Sequence, residues 1–289
     1  MRRPCPFGGE IMKTLRCIGA ELKKFTYNLW FLMCVLAAAV LSFFTVVYQD
    51  TKQDQELTAW DMVTQYTQEE LIAFGESLSS YEVFLAESGE ALLMLVPILT
   101  ATPFAIPMAL ERRTGNIRFA LIRCGGRRYY TANLFAAILT GGLVMLLGRA
   151  LFGVLVGLLF PHLGDFSLAF DMECLRTVCL RLLGQFLFGG GSTLATYLLT
   201  YMTTNYYLTI CVPFLLDYIM GMVVNWAGGQ FWSMGIYDNP LNVLLPDYLQ
   251  GVPYLTTAGL QCLAVYSAFA LLALACGITV LERRTDRGT

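Results

Sequence analysis

Runs of about twenty apolar residues recur along this chain, and they restrict its fold more than any other feature. "ALLMLVPILTATPFAIPMAL" covers Ala91–Leu110 without one charged side chain. A stretch of that length and polarity matches the hydrocarbon core of a bilayer when helical. Inside lipid every backbone N–H and C=O must be satisfied within the protein, which leaves helices or closed barrels. The composition agrees: of 289 residues, 56% are hydrophobic and only 14% charged, and the mean hydropathy is +0.59. The expected fold is all-α, a polytopic membrane protein with six transmembrane helices. They are placed at about 28–48, 91–110, 132–160, 176–202, 206–226 and 258–281, and the whole of 1–289 is read as one transmembrane domain.

Lysine and arginine orient these spans, because positive residues stay on the cytoplasmic side. Arg2, Arg3, Lys13, Arg16, Lys23 and Lys24 precede the first span. Arg112, Arg113, Arg118, Arg123, Arg127 and Arg128 lie between the second and third, and Arg283, Arg284 and Arg287 follow the sixth. These are fifteen of nineteen basic residues, and six spans put all three groups on one side. Both termini are therefore expected in the cytoplasm of a plasma-membrane protein. The 49–90 loop then lies outside, and it carries ten acidic residues against one basic residue, Lys52. Its segment 67–88 has a capping-box pattern at Thr67 and Glu70. Leu71, Phe74, Leu78, Tyr81 and Leu85 follow at helical spacing, so a helical external loop is expected. The second external loop, 227–257, is aromatic and proline-punctuated, as in a re-entrant or interfacial segment.

Residues 10–27 predict an N-terminal amphipathic helix. Ile11, Leu15, Ile18, Leu22 and Phe25 form one stripe, with Lys13, Arg16, Lys23 and Lys24 mostly off it, which suits a helix lying on the inner membrane surface. The first apolar run is not read as a cleaved signal, because it starts well inside the chain and no small-residue site follows it. Met12 is an alternative start, since residues 1–10 carry no pattern.

Catalytic and metal motifs are sparse. Nine cysteines are scattered without a C-x-x-C, and the one histidine, His162, has no cluster beside it; zinc and disulfide frameworks are not expected. "GGGSTLATY" at 189–197 lacks the lysine of a phosphate loop and lies within a span. Close helix packing or a kink is expected there instead. No protease constellation is present, so the chain is expected not to be an enzyme by itself. Pro97, Pro103 and Pro107 should kink or loosen the second span. Gly141, Gly142, Gly148, Gly153 and Gly157 in the third serve packing, within one subunit or between two.

Two charges fall inside spans, Arg149 in the third and Asp217 in the fifth. Such residues default to functional hypotheses with a partner. They could pair with each other, form a structural tie, take part in proton coupling, or, for Arg149, snorkel outward. Arg176 and Arg181, at the outer start of the fourth span, are expected to snorkel.

Between the second and third spans stands "ERRTGNIRFALIRCGGRRYY", Glu111–Tyr130. Asn116 or Thr114 can cap a helix start. Ile117, Ala120, Leu121 and Cys124 share a face, and Gly125–Gly126 end the helix. This predicts two turns of amphipathic helix that contact either another protein or anionic lipid.

The segment, with Glu111, the turn Thr114–Gly115–Asn116, "IRFALIRC", Arg127 and "YYTANLF", resembles the membrane subunit of type-two, export-family ABC transporters, especially the bacteriocin-immunity and peptide-export branches. The resemblance covers about twenty residues by motif and most of the chain by architecture. It departs at Gly125–Gly126, where relatives often carry proline or serine, and in the acidic external loop. It implies that 111–130 contains a coupling helix docking on a separate ATP-binding cassette subunit, with Glu111, Gly115, Ile117, Leu121 and Arg127 as the contact positions. It also implies a second permease chain, identical or different, surrounded by membrane lipid. No cofactor is expected in this chain, since ATP and magnesium would belong to the partner, and no nucleic-acid partner is expected. Arg112 and Arg113 read as membrane-edge anchors. A stand-alone secondary carrier using Asp217, and a non-transporting scaffold or sensor with the acidic loop as receptor, are the alternative functions.

Overall fold

The computed structural model of the chain describes residues 6–50, 55–64, 80–86, 89–159, 172–203 and 205–226. The expected sixth span, the 227–257 loop, the C-terminal arginines, His162, and Thr67, Glu70, Leu71, Phe74 and Leu78 lie outside them.

The described chain is mostly helical. Helix α1 (Pro6–Thr26) runs to a break at Tyr27–Asn28 and α2 (Leu29–Leu41) follows, the two bent by 66°. Asn28 is extended, and its side chain accepts from the Trp30 N–H, which caps the start of α2. A 3-10 turn, Ser42–Phe44, leads to an antiparallel hairpin of β1 (Val46–Asp50) and β2 (Gln55–Thr58). Two short helices, α3 (Ala59–Thr64) and α4 (Ser80–Leu85), complete the described part of this loop. Then come α5 (Glu90–Thr114), the short α6 (Ile117–Cys124), α7 (Gly126–Leu159), α8 (Met172–Met202) and α9 (Tyr206–Trp226).

Among the described residues three helices are long and apolar enough to cross a membrane, at Leu92–Thr114, Arg128–Leu159 and Cys174–Thr200. A fourth is added if the bent pair Lys13–Thr26 and Leu29–Phe44 acts as one span. The expected first span at 28–48 differs in its bounds: the apolar helix reaches only Phe44, and the span test is passed by α1 and α2 together. With 13 residues, α2 is about 20 Å long at 1.5 Å per residue, short of the ~30 Å hydrocarbon core, and residues 46–48 are strand. The loop expected at 49–90 is also not purely helical. Its hairpin registers Val46 with Thr58 and Asp50 with Gln55. Val46, Val47, Tyr48 and Thr58 favour extended backbone, a local preference that the helical spacing further along the loop does not touch. Helix α9 covers the expected 206–226 as 21 helical residues.

The bundle is layered along its length. At one end, called the foot, Phe25 of α1 packs with Phe104 and Met108 of α5, Tyr129, Tyr130 and Leu134 of α7, and Tyr197 of α8. In the middle, Cys34, Val35 and Ala38 of α2 meet Leu92, Val96 and Leu99 of α5 and Val144 and Met145 of α7. At the other end, the head, Phe43, Met62, Val83, Phe84, Phe152 and Val156 enclose the short loop elements.

The glycines explain the closest contact, between α7 and α8. A Cβ on Gly141 would stand 2.2 Å from Thr193 Cγ2 and 2.9 Å from the Gly189 carbonyl, and one on Gly189 would stand 2.6 Å from the Gly141 carbonyl. Gly142 faces Phe186, and Gly190 faces Ile138. Absent side chains let the two backbones touch, the ordinary role of small residues between membrane helices. The glycine run of 189–191 is therefore a packing surface, as its place within a span suggested. Gly148 likewise admits Ala38, and Gly153 admits the Phe84 ring, so these glycines pack within the subunit. Three prolines leave α5 a continuous helix from Glu90 to Thr114.

Candidate functional site

The foot carries α6, which two glycines isolate from its neighbours. Helix α5 stops at Gly115, whose φ of +73° is left-handed and whose N–H reaches the Arg112 carbonyl at 3.3 Å. An L side chain is disfavoured there. Helix α6 stops at Gly125, φ +78°, whose N–H donates to the Leu121 carbonyl at 2.9 Å. Gly126 already belongs to α7. The start differs from expectation. Asn116 has helical backbone angles and makes no side-chain cap. The Thr114 hydroxyl turns back to the carbonyls of Leu110 (3.0 Å) and Glu111 (3.2 Å). Backbone bonds from Arg118 to Gly115 and from Phe119 to Asn116 close the first turn instead.

Both faces of α6 are apolar, and that decides how it can be used. Ile117, Ala120, Leu121 and Cys124 pack onto the foot cluster, the face read from spacing. On the opposite side Phe119 is 67% and Ile122 82% exposed, flanked by exposed Arg118. The family resemblance implies Ile117 and Leu121 as partner contacts. The structure turns them inward, and the exposed apolar pair is Phe119 and Ile122. Two bulky apolar residues just outside the inward stripe were the available signal.

Charges tie α1 to this site. The Lys24 ammonium lies 2.7 Å from Glu111 and 2.5 Å from Glu21, and the Tyr129 hydroxyl donates to Glu111 at 3.2 Å. Glu111 is thus fixed by α1 and α7, and its partner stands 87 positions away in sequence, beyond what local spacing can reveal. The Arg112 guanidinium donates to the Thr200 carbonyl at the end of α8, and Arg113 lies over the Tyr206 ring at 5.3 Å. These two arginines tie α5 to its neighbours, where sequence reasoning read membrane-edge anchors. The side chains of Arg127 and Asp217 lie outside the described residues.

The head holds a second polar assembly. Arg149 is 2% exposed and Arg181 0%. Arg149 Nη2 donates to the carbonyls of Phe84 (2.5 Å) and Ala86 (2.6 Å), and Arg181 Nη2 donates to the same Ala86 carbonyl at 2.5 Å. The Arg149 guanidinium also sits 5.0 Å from the Phe152 ring and 5.5 Å from the Phe84 ring. Buried guanidinium groups require such acceptors. Two helices thus grip the turn at 84–86 that precedes α5. Arg181, expected to snorkel, is fully buried, whereas Arg176 is exposed. Arg149 is engaged by backbone carbonyls that no side-chain motif announces.

Among the described residues no group of three or more His, Cys, Asp or Glu could hold a metal. The arrangement offers a projecting apolar surface on a swivelled helix at the foot and a fixed clamp at the head. Comparison with protein-family models, curated proteins and solved structures finds no match.

Proposed function

We propose that this chain is the membrane-spanning permease subunit of an ABC transporter, moving a substrate outward with ATP hydrolysed by a separate subunit. Helix α6 carries the reading. It stands between two long apolar helices, is bounded by left-handed Gly115 at one end and Gly125 at the other, is anchored inward by Ile117 and Leu121, and projects Phe119 and Ile122. Such a helix can receive a push on its outer face and deliver it to α5 and α7 through its inner face.

In this reading the foot is cytoplasmic, with both termini on that side of the plasma membrane and six spans completed at 258–281. Helix α1 lies at the inner membrane surface. A second permease chain encloses the pathway, and ATP and magnesium stay with the partner. Phe119 and Ile122, with Arg118, enter the partner's cleft. Ile117 and Leu121 transmit the motion, Gly115 is the swivel, and Glu111 holds α1 to the moving foot through Lys24. Nucleotide drives the change only if the partner binds the two states of the permease unequally.

The test is purification of the full chain in mild detergent, with and without Phe119→Ala and Ile122→Asp. An ATP-hydrolysing subunit should copurify with the unaltered chain. Each substitution should weaken its retention by roughly thirtyfold or more, the scale of a buried anchor, while the thermal transition stays put. Absence of an ATP-binding protein, or equal retention by all three chains, would defeat the proposal.

A further inference from the structure

The foot also joins two thiols that docking does not use. Cys17 lies on α1 and Cys124 is the last residue of α6, 107 positions later, and their sulfurs stand 3.0 Å apart. Both are half-buried thiols. A disulfide places its sulfurs about 2.05 Å apart, so the bond requires an approach of only about 1 Å. The flanking chain is already positioned for it. Phe25 and Leu22 seat α1 in the foot cluster, Ile117 and Leu121 seat α6 in the same cluster, and the Lys24–Glu111 pair ties α1 to the end of α5. Among the described residues no other two cysteines make such a contact.

We infer that Cys17 and Cys124 are a redox modification site, forming a reversible disulfide with a low-molecular-weight disulfide as oxidant. The thiolate of one cysteine attacks a sulfur of the oxidant, breaking its S–S bond and releasing one small thiol. The thiolate of the other cysteine attacks the resulting mixed disulfide, forms the Cys17–Cys124 bond and releases the second small thiol. Two electrons pass from the cysteine pair to the oxidant, and the two cysteine protons leave on the two small thiols. The product pins the last residue of α6 to α1. Where α6 serves as the moving contact, a consequence that rests on the reading above, oxidation holds it in one position and reduction releases it.

The experiment uses the full chain in membrane vesicles exposed to glutathione disulfide, with remaining thiols alkylated before peptide mapping. A Cys17–Cys124 cross-linked peptide is expected, lost on dithiothreitol treatment and absent from Cys17→Ser. Amide exchange across 117–124 should slow by about tenfold on oxidation. Glutathione adducts on either cysteine without the cross-link, or both thiols still free for alkylation after the exposure, would overturn the site. A cross-link with unchanged exchange would overturn the clamp. Should Cys17→Ser fail to fold, Cys124→Ala serves the same comparison. ATPase copurification plays no part in these readouts, so the docking proposal and this one fail separately.

Discussion

The two ends of the bundle solve the same problem, holding charged side chains in an apolar protein, in opposite ways. At the head, Arg149 and Arg181 are sealed from solvent and bonded to backbone carbonyls. At the foot, Lys24 and Glu111 keep 30% and 27% of their side-chain surface and bond to each other. A buried cation that loses its partners cannot turn to water, so the head is expensive to open. A half-exposed ion pair exchanges its partner for water at little cost. The head is therefore built to stay closed and the foot to rearrange.

The largest effect that would break this comparison is at Arg149. Arg149→Ala leaves a cavity and removes the bonds to the Phe84 and Ala86 carbonyls, and the expected loss is about 3 kcal/mol or more, since a hydrogen bond to a charged group contributes ~1.5–3 kcal/mol. It would appear as a large drop in the thermal transition of the detergent-solubilised chain. Arg149→Lys should restore only part of it, because one ammonium can take over the two bonds that Nη2 makes but not the planar group that lies over the Phe84 and Phe152 rings. A transition unchanged by Arg149→Ala would show that the head is not a clamp.

Next in size is the shaft joining the two ends. Gly141→Val would drive a side chain into Thr193 and the Gly189 carbonyl, where even a Cβ stands 2.2 Å and 2.9 Å away. Backbone cannot yield as a flexible side chain would, so a loss of about 1–3 kcal/mol or more is expected. Gly157→Val on the same helix meets nothing within 4 Å and should be close to neutral. Thermal scans of the two variants side by side test whether α7 and α8 move as one body.

The glycines also show what was legible in the sequence. A glycine inside an apolar run suggests close approach, and Gly141, Gly142, Gly148 and Gly153 obey whereas Gly157 does not. The end of α6 was legible for a similar reason, since Gly125 is a backbone necessity read from the residue alone; its start was not, since neither Asn116 nor Thr114 caps it. Which face of α6 meets a partner was not. The 3.6-residue period identifies the stripe that packs, but Phe119 and Ile122 lie off it, so periodicity counts them as noise. The head clamp was hidden more deeply. Arg149 and Arg181 bind carbonyls of Phe84 and Ala86, and a carbonyl carries no side-chain identity. The end of the first span was hidden because α2 leads into β-branched Val46 and Val47, which are as apolar as a helix continuation but prefer a strand.

A smaller effect sharpens the account of the foot. Gly115 has open space where a Cβ would go, yet its φ is +73°. Gly115→Ala should therefore cost only about 1 kcal/mol of backbone strain without any clash. If Gly115 is the swivel, that strain should alter α6 specifically, seen as changed amide exchange across 117–124 with little change at 84–86. Equal perturbation of both segments would dissolve the distinction between the ends.

The smallest effect is the most diagnostic of how the foot is built. Lys24→Met removes the ion pair with Glu111 and keeps most of the apolar stem. Since both partners are partly exposed, the expected loss is roughly 0.2–1 kcal/mol. A cycle with Glu111→Gln should isolate the coupling between the two positions, since the amide oxygen keeps an acceptor for the Tyr129 hydroxyl that donates to Glu111 in the unaltered chain. Salt should shrink that coupling, because the Debye length falls from about 10 Å at 0.1 M to about 3 Å at 1 M. At the head the loss from Arg149→Ala should be nearly indifferent to salt, as its bonds are sealed from ions. A Lys24–Glu111 coupling as large and as salt-insensitive as the head's would mean that the foot is clamped too, and α1 would then be a fixed strut instead of a releasable one.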